Sequence, residues 1–180
     1  YLVDYLFGKL ENNKLIYKII KKNKYKYLYG NNTNLFIHIR NGDIFSNPDS
    51  ILTPRIEYYE KIIKLRKYGV IYISLASKEF ANKDDKIKFE NLIKKYKNIE
   101  IVNESEANTI LLGSTSRYVC LSSGTFSLIL GLFSYYSKNI YYSNDAGKIF
   151  FKDPNKISGW HGNFFQDLNK INKKFIEIKL

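Results

Sequence analysis

Apolar and polar positions along the chain follow two different periods. Residues 1 to 23 place Leu2, Tyr5, Leu6, Leu10, Leu15, Ile16, Ile19 and Ile20 at helical spacing, broken near Asn12 and Asn13. From residue 35 the pattern changes to short, nearly continuous apolar runs rich in β-branched and aromatic residues. Five of these read as strands: 35–40, "VIYISLAS" at 70–77, "IEIV" at 99–102, "YVCLS" at 118–122 and "NIYYS" at 139–143. Segments of helical period lie between them. In "TPRIEYYEKIIKLRKYG", Thr53 is a candidate N-cap, Pro54 suits the first helical position and Gly69 suits the close. Residues 84–97 form an amphipathic pattern that starts with Asp84 and Asp85, where acids favour a helix N-terminus. Residues 105–116 and the strongly apolar 125–137 complete the series.

Strands of this kind, separated by helices of this length, predict right-handed βαβ units and a parallel sheet with helices on both faces. The expected fold is α/β and Rossmann-like. A helical N-terminal segment over 1–34 would pack on a Rossmann-like domain over 35–180. Beyond residue 143 turn residues mix with aromatics, and Trp160 and His161 in "SGWHGNFFQD" read as packing for the tail rather than a loop over a sugar. There is no internal repeat, low-complexity tract or linker.

Composition narrows the options. A chain of 180 residues with 44% hydrophobic content suits one globular domain. The net charge of +12 points either to a polyanion or to an A/T-biased codon usage that favours Lys, Asn, Ile and Tyr. The lysines fall along helical segments at spacings that give solvated faces, which favours the bias, so nucleic acid is not the expected partner. Cys120 is the one cysteine, so no internal disulfide can form, and its mid-strand place reads as core. Two histidines, one cysteine and no tight carboxylate cluster predict no metal site. The longest apolar stretch, around 125–136, is too short and too polar for a transmembrane segment. The chain starts at Tyr1 and has neither methionine nor a charged-then-apolar leader. The expectation is a piece of a longer polypeptide with further domains, located in the cytoplasm.

Ligands of open parallel sheets bind beyond the carboxyl ends of the strands, and two strand ends here carry unusual residues. In "NLFIHIRNGDIF", His38 and Arg40 are two apart and share a strand face, Gly42 permits a turn, and Asp43 can orient a donor or meet a hydroxyl. An arginine offers a fixed fork of donors for phosphate oxygens. In "YVCLSSGTFSLILG" a buried strand ends at Ser122, Ser123 and Gly124, and a helix opens near Thr125. Free amides at such a helix start form an anion site, and the hydroxyls add donors. Simple N-capping by Ser123 or Thr125 explains the same residues. Together the two ends make a diphosphate cradle. No acid is placed to grip a ribose in the dinucleotide pattern, so a nucleotide sugar is favoured. Neither a Walker A loop, a GxGxxG turn nor a GxSxG elbow occurs.

"HIRNGD", the "YYEKII" helix, a strand and then "LSSGTFSLILG" resemble the α1,2-fucosyltransferases and the wider fucosyltransferase superfamily with the GT-B fold. The likeness covers about residues 35 to 142 in order. It implies a nucleotide-sugar-binding domain of one half of a GT-B enzyme, with Arg40 on the donor β-phosphate and His38 shaping the pocket. The backbone and hydroxyls of Ser123, Gly124, Thr125 and Ser127 would hold the diphosphate. The chain departs from the family pattern at Asn41, where a second arginine is expected, and at Leu128 and Ile129, where tryptophans often stand. The expected acid upstream of the second motif falls near Thr109, with Glu106 offset from it. The resemblance implies inverting transfer from a nucleotide diphosphate sugar, GDP-fucose favoured, to a glycan hydroxyl, with no bound metal or cofactor. Arg40 would stabilise the leaving diphosphate, and Asp43 is the candidate base or the residue that fixes the Arg40 loop. The alternatives are a nucleotide-sugar-binding module that has lost catalysis and a basic nucleic-acid binder.

Overall fold

A strand covered by helices on both sides must be apolar on both sides, and the run at residue 35 meets that demand. Every residue of β1 (Leu35–Ile39) is buried. The computed structural model describes residues 32–41, 54–77, 79–80, 83–134, 137–143 and 174–179. Among these, β1 is followed by α1 (Ile56–Lys64), β2 (Ile71–Leu75), α2 (Lys83–Lys95) and β3 (Ile99–Val102). Then come α3 (Glu106–Thr115), β4 (Tyr118–Cys120), α4 (Gly124–Phe133), β5 (Asn139–Tyr142) and β6 (Phe175–Glu177). The strands form one parallel sheet in the order β3-β2-β1-β4-β5-β6. The fold is Rossmann-like, as the alternation of periods predicts.

The two faces of β1 feed two cores. Leu35, Ile37 and Ile39 pack with Ile56, Tyr58, Tyr59, Ile62 and Ile63 of α1 and with Phe89 and Leu92 of α2. Phe36 packs on the other side with Leu112 of α3 and Leu130 of α4. The lysine-rich helices α1 and α2 keep their charges in water, where Lys88 meets Glu57 at 2.6 Å and Lys95 meets Glu60 at 2.7 Å. Such exposed pairs add little stability. Among the described residues no helix is long and apolar enough to cross a membrane.

Boundaries differ from the sequence-based expectation where the chain leaves the sheet. β1 ends at Ile39 and β4 at Cys120; the Leu121 amide still donates to Tyr141 O of β5 at 2.8 Å, while the Arg40 amide turns to Ser122 Oγ. Arg55, extended and without a side-chain cap, is the N-cap of α1, and Leu65 is its C-cap. Pro54 therefore precedes the cap and Gly69 does not close the helix. Gly69 is instead a close approach: a Cβ there would lie 2.9 Å from side-chain oxygens of Thr33 and Asn34. β6 is a strand in the tail that periodicity left irregular; three residues are too few to show alternation. Thr53, most of the 1–34 segment, Trp160 and His161 lie outside the described residues.

Candidate functional site

Chain order reverses beside β1. From β1 the chain builds outward through β2 to β3, then returns to set β4 against the other edge of β1, with Leu35 paired to Tyr118 and Ile37 to Cys120. Such a switch point leaves a crevice beyond the carboxyl ends. The two stretches singled out in the sequence meet there, as expected. The Arg40 amide donates to Ser122 Oγ at 3.1 Å.

Several hydroxyls have internal work. Ser122 Oγ also accepts from the Tyr59 hydroxyl at 2.9 Å, and the Tyr58 hydroxyl donates to Leu121 O at 3.2 Å. Ser127 Oγ accepts the Ser122 amide proton at 3.0 Å and lies 2.7 Å from His38 Nδ1. Ser122 and Ser127 are fully buried, so they brace the strand exits from inside rather than face a ligand. Both tyrosine hydroxyls are pushed well above their ordinary pKa by burial and stay neutral. His38 is 3% exposed and its ring sits 4.6 Å from that of Phe126. Burial first, and then the Arg40 charge, lower its pKa to about 3, so the imidazole is neutral. In the tautomer with the proton on Nε2, the Ser127 hydroxyl donates to Nδ1 while accepting from Ser122.

The start of α4 is unusual. Ser123 is its N-cap residue, but its hydroxyl makes no capping bond and is buried without a partner. Gly124 has φ 85, a left-handed conformation that favours glycine. A Cβ on Gly124 would overlap Arg40 Nη1 and lie 2.8 Å from Cζ, so the guanidinium rests on the first residue of the helix. A helix N-terminus carries partial positive charge. The Arg40 guanidinium and the start of α4 thus present positive charge side by side. Thr125 follows in the first turn of α4. Gly42 and Asp43 lie outside the described residues.

A cleft of about 860 Å³ opens beside this point and is lined by His38, Arg40 and Asn41. Its far wall comes from Ser77 and Glu79 beyond β2 and from Glu104, Glu106 and Thr109 around the start of α3. Asn41 does more than replace a charge. Buried at 4% exposure, it donates through Nδ2 to Ser77 O at 2.6 Å and Glu79 O at 2.9 Å, and accepts from the Ser77 amide at 3.0 Å. It clamps the exit of β1 to the exit of β2. Sequence reasoning missed this clamp, and it missed Glu79, Glu104 and Phe126. Glu79 corrects the expectation that no acid is placed as in the dinucleotide pattern: it stands just past the end of β2 and lines the cleft. Among the described residues no group of three His, Cys, Asp or Glu could hold a metal ion. Comparison with models of protein families, with curated proteins and with solved structures finds no match.

Proposed function

We propose that this domain holds the diphosphate of a nucleotide sugar at the β1/β4 switch point and is the donor half of a cytoplasmic, fucosyltransferase-like glycosyltransferase. The observation that carries the reading is Arg40 lying over the N-terminus of α4 at Gly124. Arg40 and the α4 amides stabilise the charge that grows on the leaving diphosphate, in a site already arranged to receive it. His38 stays neutral and, held by Ser127 and Phe126, fixes the shape of the pocket beside Arg40. The cleft suits a nucleoside. Glu79 can accept from ribose hydroxyls, and Glu104 and Glu106 offer acceptors for a base edge rich in donors. Guanine presents such an edge, which favours GDP-fucose as donor. The acceptor is a glycan hydroxyl, transfer inverts the donor carbon, and Asp43 is the candidate base that takes the hydroxyl proton.

Calorimetry of GDP binding by Arg40→Lys and Arg40→Ala tests the reading. Lysine keeps the charge but loses the fork, so both variants should weaken binding by about 1–3 kcal/mol. Unchanged affinity in both, with the fold intact, would remove Arg40 from the site. A second reading, binding without catalysis, draws on Asn41, which carries no charge and is engaged as a clamp. Donor that binds the full-length protein without hydrolysis or transfer would favour it.

A further inference from the structure

The edge of the sheet opposite the cleft carries a different chemistry. Five of the six strands are entered past a cation: Arg66 and Lys67 before β2, Lys97 before β3, Arg117 before β4, Lys138 before β5 and Lys174 before β6. The entry segments 65–70, 96–98, 116–117, 137–138 and 174 contain no Asp or Glu. Arg66, Lys67, Lys97 and Lys138 are exposed, and Arg117 and Lys174 are half-buried. With strands roughly 4.8 Å apart, the row runs for about 24 Å across the sheet. The cleft edge is mixed, with Arg40 set against Glu79, Glu104 and Glu106. A codon bias toward lysine spreads cations over the whole molecule; it does not by itself leave the described entry segments without an acid. Glu60, near the end of α1, is held by Lys64 and Lys95 at 3.0 and 2.7 Å.

The cations are held in place. The Arg66 guanidinium lies 4.5 Å over the Tyr118 ring, and its Nη1 donates to the Tyr118 hydroxyl at 3.1 Å. The Lys138 amide donates to Arg117 O at 2.7 Å, which sets those two residues side by side. Burial would raise the Tyr118 phenol, but hydrogen bonds from Arg66 and Arg117 and the charges of Arg66 and Lys138 outweigh it and lower it.

We infer that this amino edge is a docking face for an anionic membrane surface. Lipid phosphates are the anion that a flat row of cations meets without needing any sequence. Leu65, 46% exposed at the same edge, adds an apolar point suited to the boundary between headgroups and acyl chains. Of the tyrosines at this edge, Tyr68, Tyr118 and Tyr141 are buried and Tyr96 is half-buried with Lys95 Nζ 5.6 Å over its ring, so unpaired bases find no row of open stacking faces. Docking here leaves the cleft open on the far side.

Sedimentation of the full chain with phosphatidylcholine vesicles, with and without phosphatidylglycerol, tests the inference. Binding should require phosphatidylglycerol and fall with salt. Lys67→Glu with Lys138→Glu should lower partitioning at least about tenfold. Lys83→Glu with Lys86→Glu, the same change in net charge at the start of α2, should not. Equal losses in the two pairs, or no preference for anionic vesicles in the parent, would overturn the docking face. So would duplex DNA bound more tightly than vesicles through the same lysines.

Discussion

At His38 burial and a neighbouring charge act in the same direction. The ring is neutral in the fold down to a pKa of about 3, whereas an unfolded chain protonates it near 6.5. Below pH 6.5 the unfolded state takes up a proton that the folded state refuses. Stability is therefore full above 6.5 and falls as pH drops through the window toward 3, with a slope approaching about 1.4 kcal/mol per pH unit. Glu57 and Glu60, lowered mainly by hydrogen bonds from Lys88 and Lys95, lose their contribution only as pH falls below 4.5. In the window above that, among the described residues, His38 drives the fall, while Asp85, raised from 3.8 chiefly by burial, acts in the opposite sense toward the acid end. Urea midpoints across roughly pH 7 to 5 should show it, and His38→Gln should flatten it. A slope that survives His38→Gln would assign it to another group. The sequence shows His38 and Arg40 two apart at a strand end, and both do line the cleft. That Ser127 would be the partner of His38 was not legible, because the two residues are 89 apart and meet only when the strands do.

The pairing of α3 with α4 depends on one small residue. A Cβ on Gly113 of α3 would lie 2.5 Å from Leu130 Cδ1 and 3.0 Å from Phe36 Cδ1, inside the second core. Alanine improves helix propensity by about 1 kcal/mol, but overpacking costs about 1–3 kcal/mol. Leu130 and Phe36 are fully buried and have little room to yield. Gly113→Ala should therefore lower stability, by about 1 kcal/mol, in chemical denaturation. A more stable variant would show that α4 can shift freely. The shift also matters for the site, because α4 carries Gly124 to Arg40. The elements themselves were readable from β-branched runs and helical periods. Their ends were less so, because Arg40 and Ser122 leave the strands for a contact with each other that no local pattern encodes. Gly69 misleads for the same reason: its place is dictated by Thr33 and Asn34, not by the helix before it.

For the molecule as a whole, alternation of strands and helices implies a parallel sheet but not its order. Right-handed crossovers and the continuous burial of β1 place that strand inside the sheet. Which later strand joins its free edge depends on packing summed over both cores. A ligand that bridges the switch point binds only the finished fold, so a nucleotide at 100 times its Kd should add about 2.7 kcal/mol of stability. Thermal shifts with GDP and GDP-fucose should exceed those with UDP-, dTDP- and nicotinamide nucleotides. No shift with any of them would end the nucleotide reading. The strand order also has a consequence in time. Arg40 and Ser122 lie 82 residues apart. The β1–β2–β3 half can assemble from sequence neighbours, but β4 reaches β1 only by closing that long loop, a slow step. The pocket thus comes into being when the second half docks. If the proposed nucleotide reading holds, an emerging chain lacks the β4 side of the site, and occupancy would report that folding is complete.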